Sequence, residues 1–511
     1  MEAHVNTEQR AGGTSVAGGP GRAILSAVFL CAGLLACQWT PNPVTGHPEW
    51  VLMDAAKERE VSDEGALQIE AGMGIARDAE RQAWLRAVGD RLAKHSPRRG
   101  VEYRFFIVEM DEPNAFALPD GRIYLSRGVL VLVNSEAELA NVLAHEIGHV
   151  AARHHAQRDA HQKTFGLSTL AGRVAGGGKQ EEGEFIGGVD GAFAYGRNQE
   201  RQADVIGMEI AGATGYDPAG MGDFMRSLDR SMRLLHGYSM QRSYFATHPA
   251  TPERVAENHA RAEIERHAKA PLERRSSTSV RQHLDGMPAE RPASEGVFVG
   301  NRFLHADMGF SLRFPVGWEP LNQSSAVAAI SKKRDAIAML QVAGEDVTPE
   351  EAARAQAEEH GFGLDAGRAL RIGGREGLPA FRAEVVIETP FGSVIGTATW
   401  VGLGKQVYRL LCGVERGRPA RVAGVCRSFS RSLRALSDAE RAEISELRLR
   451  FLEALEGETL SALVRRSGTE WSLNRIAVIN GLQVDDVLSA GRFVKVVMRE
   501  PDAGAARGAG L

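Results

Sequence analysis

A chain of 511 residues, 43% hydrophobic and 25% charged, is long enough for about two or three domains and has a globular composition. Its formal net charge of −4 and lack of a dense Lys/Arg block argue against a nucleic-acid partner. Four cysteines are too few for a disulfide scaffold.

Residues 1–22 form a polar, Gly-rich leader ending at Arg22. The apolar run "AILSAVFLCAGLLAC", Ala23 to Cys37, follows. It is shorter than the ~20 residues that span a bilayer and suits the core of a signal peptide. Its end, Leu-Leu-Ala-Cys, resembles a bacterial lipoprotein lipobox, which implies cleavage before Cys37 and a lipid on that residue. Gln38 stands where Asp would signal inner-membrane retention, which favours the outer membrane. Beyond Cys37 no apolar run reaches spanning length. Residues 1–36 are therefore expected as a signal peptide, with the rest lipid-anchored in the periplasm. In that oxidising compartment Cys412 and Cys426 can pair, geometry permitting.

Residues 50–95 read as helical and "VEYRFFIVEM" as a strand. "NAFALPDGRIYLSRGVL" reads as two short strands around a Pro-Asp-Gly turn. "SEAELANVLAHEIGHVAARHHAQRD" gives the clearest helix, with Ser135 and Glu138 as a capping box and an apolar stripe of Leu139, Val142, Leu143, Ile147 and Val150. A Gly-rich stretch (166–191) precedes a helix in "NQERQADVIGMEIAGATGY". Further helices are expected from Pro218 to Leu235 and after "HPATPERVAENHARAEIERHAK". Residues 269–296, rich in Pro, Ser, Arg and Glu, read as a linker. Residues 297–436 alternate like an antiparallel sheet, with one helix in "TPEEAARAQAEEHG". A connecting helix is expected over 437–453, a compact unit over 454–499 and a disordered tail over 500–511.

Chemistry concentrates in His145, Glu146 and His149. Two His four apart lie on one helix face and can reach one tetrahedral zinc. Glu146, rotated by about 100°, can face the substrate and take a proton from water. Two His leave zinc short of ligands, because catalytic sites use about three plus water. Glu200 and Asp204, again four apart, are the best candidates: one carboxylate can bind metal while the other orients a ligand His. His154 and His155 follow at angles that do not suit the same metal.

The motifs "NAFALPDGRIYLSRGVL", "SEAELANVLAHEIGHVAARHH", "YGRNQERQAD" and "THPATPERV" occur in the order seen in the HtpX and CAAX prenyl protease family of zinc metallopeptidases. The resemblance covers about Pro43 to Ala260 and is nearest the periplasmic, BepA/LoiP-like lipoprotein branch. It implies a gluzincin fold binding one zinc per chain through His145, His149 and Glu200, with Glu146 as general base and Asp204 supporting a ligand. It further implies that His248 lies near the site, as metal neighbour or oxyanion donor. Arg254 and Tyr195 are possible transition-state partners. Asn114, Ala115, Phe116 and Ala117 match an edge strand to which an extended substrate can add. "GETLSALVRRSGTEWSLNRIAVINGLQVDDVLSAGRFVKVV" resembles a LysM module, a small βααβ unit that binds peptidoglycan glycan.

The expected fold class is α+β multidomain: a mainly helical metallopeptidase domain (37–268) with a small sheet, an antiparallel α+β accessory domain (297–436) and a LysM-like βααβ unit. The resemblance implies an endopeptidase for misfolded or unassembled envelope proteins. The alternative is a cell-wall-associated assembly factor with a latent protease site.

Overall fold

The computed structural model describes residues 38–44, 46, 48–51, 53–157, 196–236, 244, 248, 252–268, 277–373, 377–389, 392–415 and 422–501. The leader, Cys37, the Gly-rich stretch, Tyr195 and the tail from 502 lie outside them. Among the described residues no helix is long and apolar enough to cross a membrane.

A short hairpin opens the described chain: β1 (Gln38–Pro41) pairs antiparallel with β2 (Pro48–Val51). Helices α1 (Ala55–Gly72) and α2 (Ala79–Ala93) start at Asp54 and Asp78, whose carboxylates accept the backbone N–H three residues on. Strands β3 (Arg104–Val108), β4 (Ala115–Ala117) and β5 (Arg122–Ser126) form a sheet in the order β3-β5-β4, parallel between β3 and β5 and antiparallel between β5 and β4. The expected hairpin around Pro119–Gly121 is the β4–β5 pair.

After α3 (Arg127–Leu132) comes α4 (Glu136–Ala151), the motif helix. The apolar pattern predicts one buried stripe, yet all sixteen residues of α4 are buried. α2, β4, α5 (Arg197–Ala213) and α6 (Gly220–His236) surround it. The motif's polar side chains therefore face protein on every side and must satisfy one another or bind something. α7 (Pro252–Ala268) closes this domain against α5 and α6.

The expected linker is ordered from Ser277. α8 (Ser277–Leu284) packs on α2, with His283 stacked on Trp84 at 4.7 Å and Arg81 Nε donating to His283 O at 2.6 Å. Polar composition suggested a loose segment, but these side chains bind specific partners.

The accessory domain is antiparallel throughout. A four-stranded sheet runs β16-β8-β7-β6, from β6 (Val297–Val299), β7 (Arg302–His305), β8 (Phe310–Arg313) and β16 (Arg434–Ala435). A seven-stranded sheet runs β12-β13-β14-β15-β11-β10-β9, from β9 (Glu319–Gln323), β10 (Ala326–Ile330), β11 (Ala336–Glu345), β12 (Asp365–Ile372), β13 (Leu378–Thr389), β14 (Gly392–Leu403) and β15 (Gln406–Glu415). α9 (Pro349–His360) covers one face, started by a capping box between Thr348 and Glu351. α10 (Ala423–Arg431) covers the other, tied to β15 by the Cys412–Cys426 disulfide, Cα–Cα 5.3 Å.

The helix expected over 437–453 is corrected. Only α11 (Asp438–Glu443) is helical; Ser445–Glu453 is strand β17, paired antiparallel with β18 (Phe493–Pro501). "SELRLRFLE" alternates polar and apolar residues, a period of two, and that pattern outweighs its helix-forming composition. With α12 (Leu460–Ser467) and α13 (Leu473–Ile479) the segment has the order β-α-α-β. The whole is an α+β multidomain chain.

Candidate metal centre

Helix α4 begins where Ser135 Oγ accepts the Glu138 N–H at 3.2 Å. Glu138 returns its carboxylate to the Asn134 N–H at 3.0 Å, one residue before the expected capping-box partner. From this start His145 and His149 project one turn apart, their Nε2 atoms 3.0 Å from each other.

Two glycines bring α5 against them. A Cβ on Gly148 would lie 2.9 Å from Ala203 O, and one on Gly207 2.9 Å from His145 N. No side chain fits there, so the helix backbones touch and α5 delivers both carboxylates to the imidazoles. Glu200 Oε1 is 3.4 Å from His149 Nε2, and Glu200 Oε2 is 3.5 Å from His145 Nε2. Asp204 Oδ1 is 2.9 Å from His145 Nδ1, on the far side of that ring, and so turns Nε2 inward.

His248 joins them. Its Nδ1 lies 3.0 Å from Glu200 Oε1 and 3.3 Å from His145 Nε2. It is held by its own N–H donating to Tyr244 O at 2.7 Å and by stacking on the Tyr244 ring at 4.3 Å. Tyr244 N in turn donates to Pro113 O at 3.0 Å, just before β4.

His145, His149, Glu200 and His248 thus offer four donor atoms within 4.8 Å of one another, all buried. Donors at about 2.1 Å from a tetrahedral ion stand about 3.4 Å apart. Five separations, counted over both Glu200 oxygens, are 3.0–3.5 Å and lie near that figure. Imidazole lone pairs converging on an anionic carboxylate away from water are the chemistry a divalent zinc ion satisfies.

Burial disfavours charge on His145, but Asp204 and Glu200 outweigh it and raise its pKa to about 9. Burial and the neighbouring His145 push His149 well below its ordinary value. Glu200 lies far below the usual carboxylate range: burial opposes its charge, but His248, His145 and Arg254 prevail. Arg254 donates to Asp204 at 2.5 and 2.7 Å, and its Nη1 lies 2.6 Å from Glu200 Oε2. It braces these two carboxylates.

Glu146 differs from its neighbours. It is fully buried, and among the described residues neither carboxylate oxygen has a hydrogen-bond partner. His248 Nε2 lies 3.4 Å from Glu146 Oε1. Burial raises its pKa, making it a stronger base than an exposed Glu.

Asn114 bonds to Ser126 through both backbone groups, to Oγ and from N–H, each at 2.8 Å. Leu118 N donates to Arg122 O. By alternation Ala115 and Ala117 turn their polar backbone groups away from β5, while Phe116 pairs with Tyr124. His155 Nε2 sits 2.7 Å from Ala117 O. His154 Nδ1 sits 2.8 Å from His149 Nδ1 and fixes that ring. Both histidines are buried. Tyr244 has no motif to announce it; its importance comes only from tertiary placement.

The sequence model of the family described as Peptidase family M48 matches residues 79–262, and fold and site together make this part of the chain a metallopeptidase domain. The Beta-barrel assembly-enhancing protease of Yersinia pestis is 27% identical over 231 residues, 43% of this chain and 47% of that protein. The Mitochondrial metalloendopeptidase OMA1 of Schizosaccharomyces pombe is 26% identical over 166 residues, 32% of this chain and 48% of that protein. The chain therefore spans about half the length of these curated relatives. Cyanobacterial PsbP (CyanoP) from Synechocystis aligns with 27% of this chain and 95% of its own at 12% identity and a TM-score of 0.22, too slight to carry an argument.

Proposed function

We propose that this chain is a zinc endopeptidase, with one zinc held by His145, His149 and Glu200, acting on misfolded or unassembled envelope polypeptides. The observation that carries the reading is the cluster of four buried donor atoms beside a buried Glu146 whose carboxylate makes no hydrogen bond among the described residues. The substrate class rests on the name of the Yersinia relative. The Leu-Leu-Ala-Cys37 sequence supports a lipid anchor at the periplasmic face of the outer membrane. The β-α-α-β order of 445–501 is compatible with a LysM-like module contacting peptidoglycan.

When bound, zinc acidifies water and polarises a carbonyl oxygen. Glu146 takes the proton of the attacking water and passes one to the leaving amine. Asp204 holds His145 with Nε2 inward, and Arg254 keeps Asp204 and Glu200 ionised. An extended substrate aligns along β4 through the backbone of Ala115; the Ala117 carbonyl is already engaged by His155.

His248 favours a second reading, a latent site. It supplies a fourth protein donor where catalytic zinc sites keep a position open. Cleavage of an unfolded outer-membrane protein by the full chain separates the readings. Glu146→Gln is expected to keep its zinc and lose about 100- to 10,000-fold in rate. Undiminished cleavage by that variant removes Glu146 from the mechanism. His248→Ala is expected to cleave faster if His248 closes the site; a loss as large as that of Glu146→Gln makes it a catalytic residue instead.

A further inference from the structure

The accessory domain carries a charge arrangement that the peptidase chemistry does not use. Arg382 on β13 stands directly opposite Arg368 on the edge strand β12. Like charges directly opposite each other destabilise a strand pair. Helix α10 lies over the same face and adds Arg427 and Arg431, one turn apart. Arg382 is half-buried between them, its Nε donating to Thr399 Oγ1 at 3.1 Å and its Nη2 to Ser430 Oγ on α10 at 3.0 Å.

These two hydroxyls fix the guanidinium without neutralising it. Among the described residues no carboxylate pairs with any of the four arginines. Asp365 and Glu384 face each other across a register shift, three residues along β12 and two along β13, and form an ion pair with none of them. Partial burial and the three neighbouring guanidinium groups lower the Arg382 pKa. The arrangement is also anchored: the Cys412–Cys426 disulfide fastens α10 to β15 one residue before Arg427. Elsewhere on this domain arginines do find acids, as Arg302 does with Glu440 and Glu443.

We propose that Arg368, Arg382, Arg427 and Arg431 form a binding site for a phosphate group. A guanidinium fork matches two oxygens of a tetrahedral oxyanion, and several forks around one anion suit a group of more than one negative charge and three acceptor oxygens. A single carboxylate leaves most of the positive charge uncompensated. Arg382 forms the floor, while Arg368, Arg427 and Arg431 are exposed and form the rim. The phosphate can be free in solution or the headgroup of a lipid; the chemistry of the site is the same.

The test uses the full chain with two probes: inorganic pyrophosphate by calorimetry, and phosphatidylcholine vesicles with and without phosphatidic acid by co-sedimentation. Arg427→Gln/Arg431→Gln alters only exposed side chains and leaves the fold intact. Arg382→Gln removes the floor, with circular dichroism as its folding control. Wild type is expected to bind pyrophosphate, or vesicles only when they carry phosphatidic acid, more weakly as salt rises. The double variant is expected to lose about tenfold or more in affinity at unchanged peptide cleavage. Pyrophosphate binding alone assigns a soluble phosphate, and binding to phosphatidic acid vesicles alone assigns a lipid source. No binding of either probe by wild type, or equal binding by wild type and the double variant, overturns the proposal.

Discussion

Asp204 sits behind His145, its Oδ1 2.9 Å from Nδ1, and accepts from Arg254 on both oxygens and from Asn258 on Oδ2. Its work is orientation: without it the ring can turn and the inward Nε2 is lost. Asp204→Asn is expected to weaken zinc affinity by about 10- to 100-fold, read by competition with a chelator dye; unchanged affinity removes this role. The proximity of His145 to His149 and of Glu200 to Asp204 was legible in the sequence, because spacing of four on a helix puts each pair on one face; that the two pairs meet comes from the structure. His248 was legible only as a neighbour of the site, since its place depends on Tyr244 and on a tertiary approach that no local pattern encodes. The contacts of Arg254 were hidden for the same reason: a lone Arg in sequence does not reveal that two buried carboxylates bind it.

At the level of elements, the close crossing of α4 and α5 matters most. Gly148 and Gly207 allow the two backbones to meet, and the meeting brings the Glu200–Asp204 pair to the histidines. Gly207→Ala places a methyl against the His145 backbone and is expected to lower stability by about 1–3 kcal/mol, with weaker zinc binding in the same preparation. A variant with normal stability and normal zinc content would show that the helices can part without harm to the site. Helix boundaries with strong periodicity, such as α4 and α5, were readable. The strand β17 was not, because its Arg and Glu residues favour a helix in composition while their alternation favours a strand. The ordered α8 was hidden for a similar reason: its side chains are polar, and its partners Trp84, Arg81 and Glu136 lie far away in the sequence, 202 residues for the Arg81 bond and 143 for the Glu136 bond.

Across the whole molecule, the C-terminal β-α-α-β unit is not a separate bead. Leu449, Leu460, Leu463, Trp471, Ile476 and Val496 share one hydrophobic core with α2, α4 and α6. Lys495 is fully buried at that junction and donates to the carbonyls of Val131, Leu132 and Val133 at 2.7, 3.2 and 3.1 Å. Burial lowers its pKa to about 7, against the pull of Glu138 near the start of α4. Lys495→Met leaves three buried carbonyls without their donor and is expected to cost about 1–3 kcal/mol, measured by the denaturant midpoint. An unshifted midpoint would show that the junction contributes nothing to the peptidase domain. The motif-based reading separated this unit at residue 454 because a small repeat-like segment looks autonomous; only packing shows that its inner face is the peptidase core.

X-ray absorption at the zinc edge, on the full chain and on Glu200→Ala, tests the metal centre most directly. One zinc per chain is expected, with nitrogen and oxygen neighbours at about 2.0–2.1 Å and no sulfur, and with zinc content or ligand number falling in the variant. A chain that retains no zinc, or a coordination sphere indifferent to Glu200, contradicts the account.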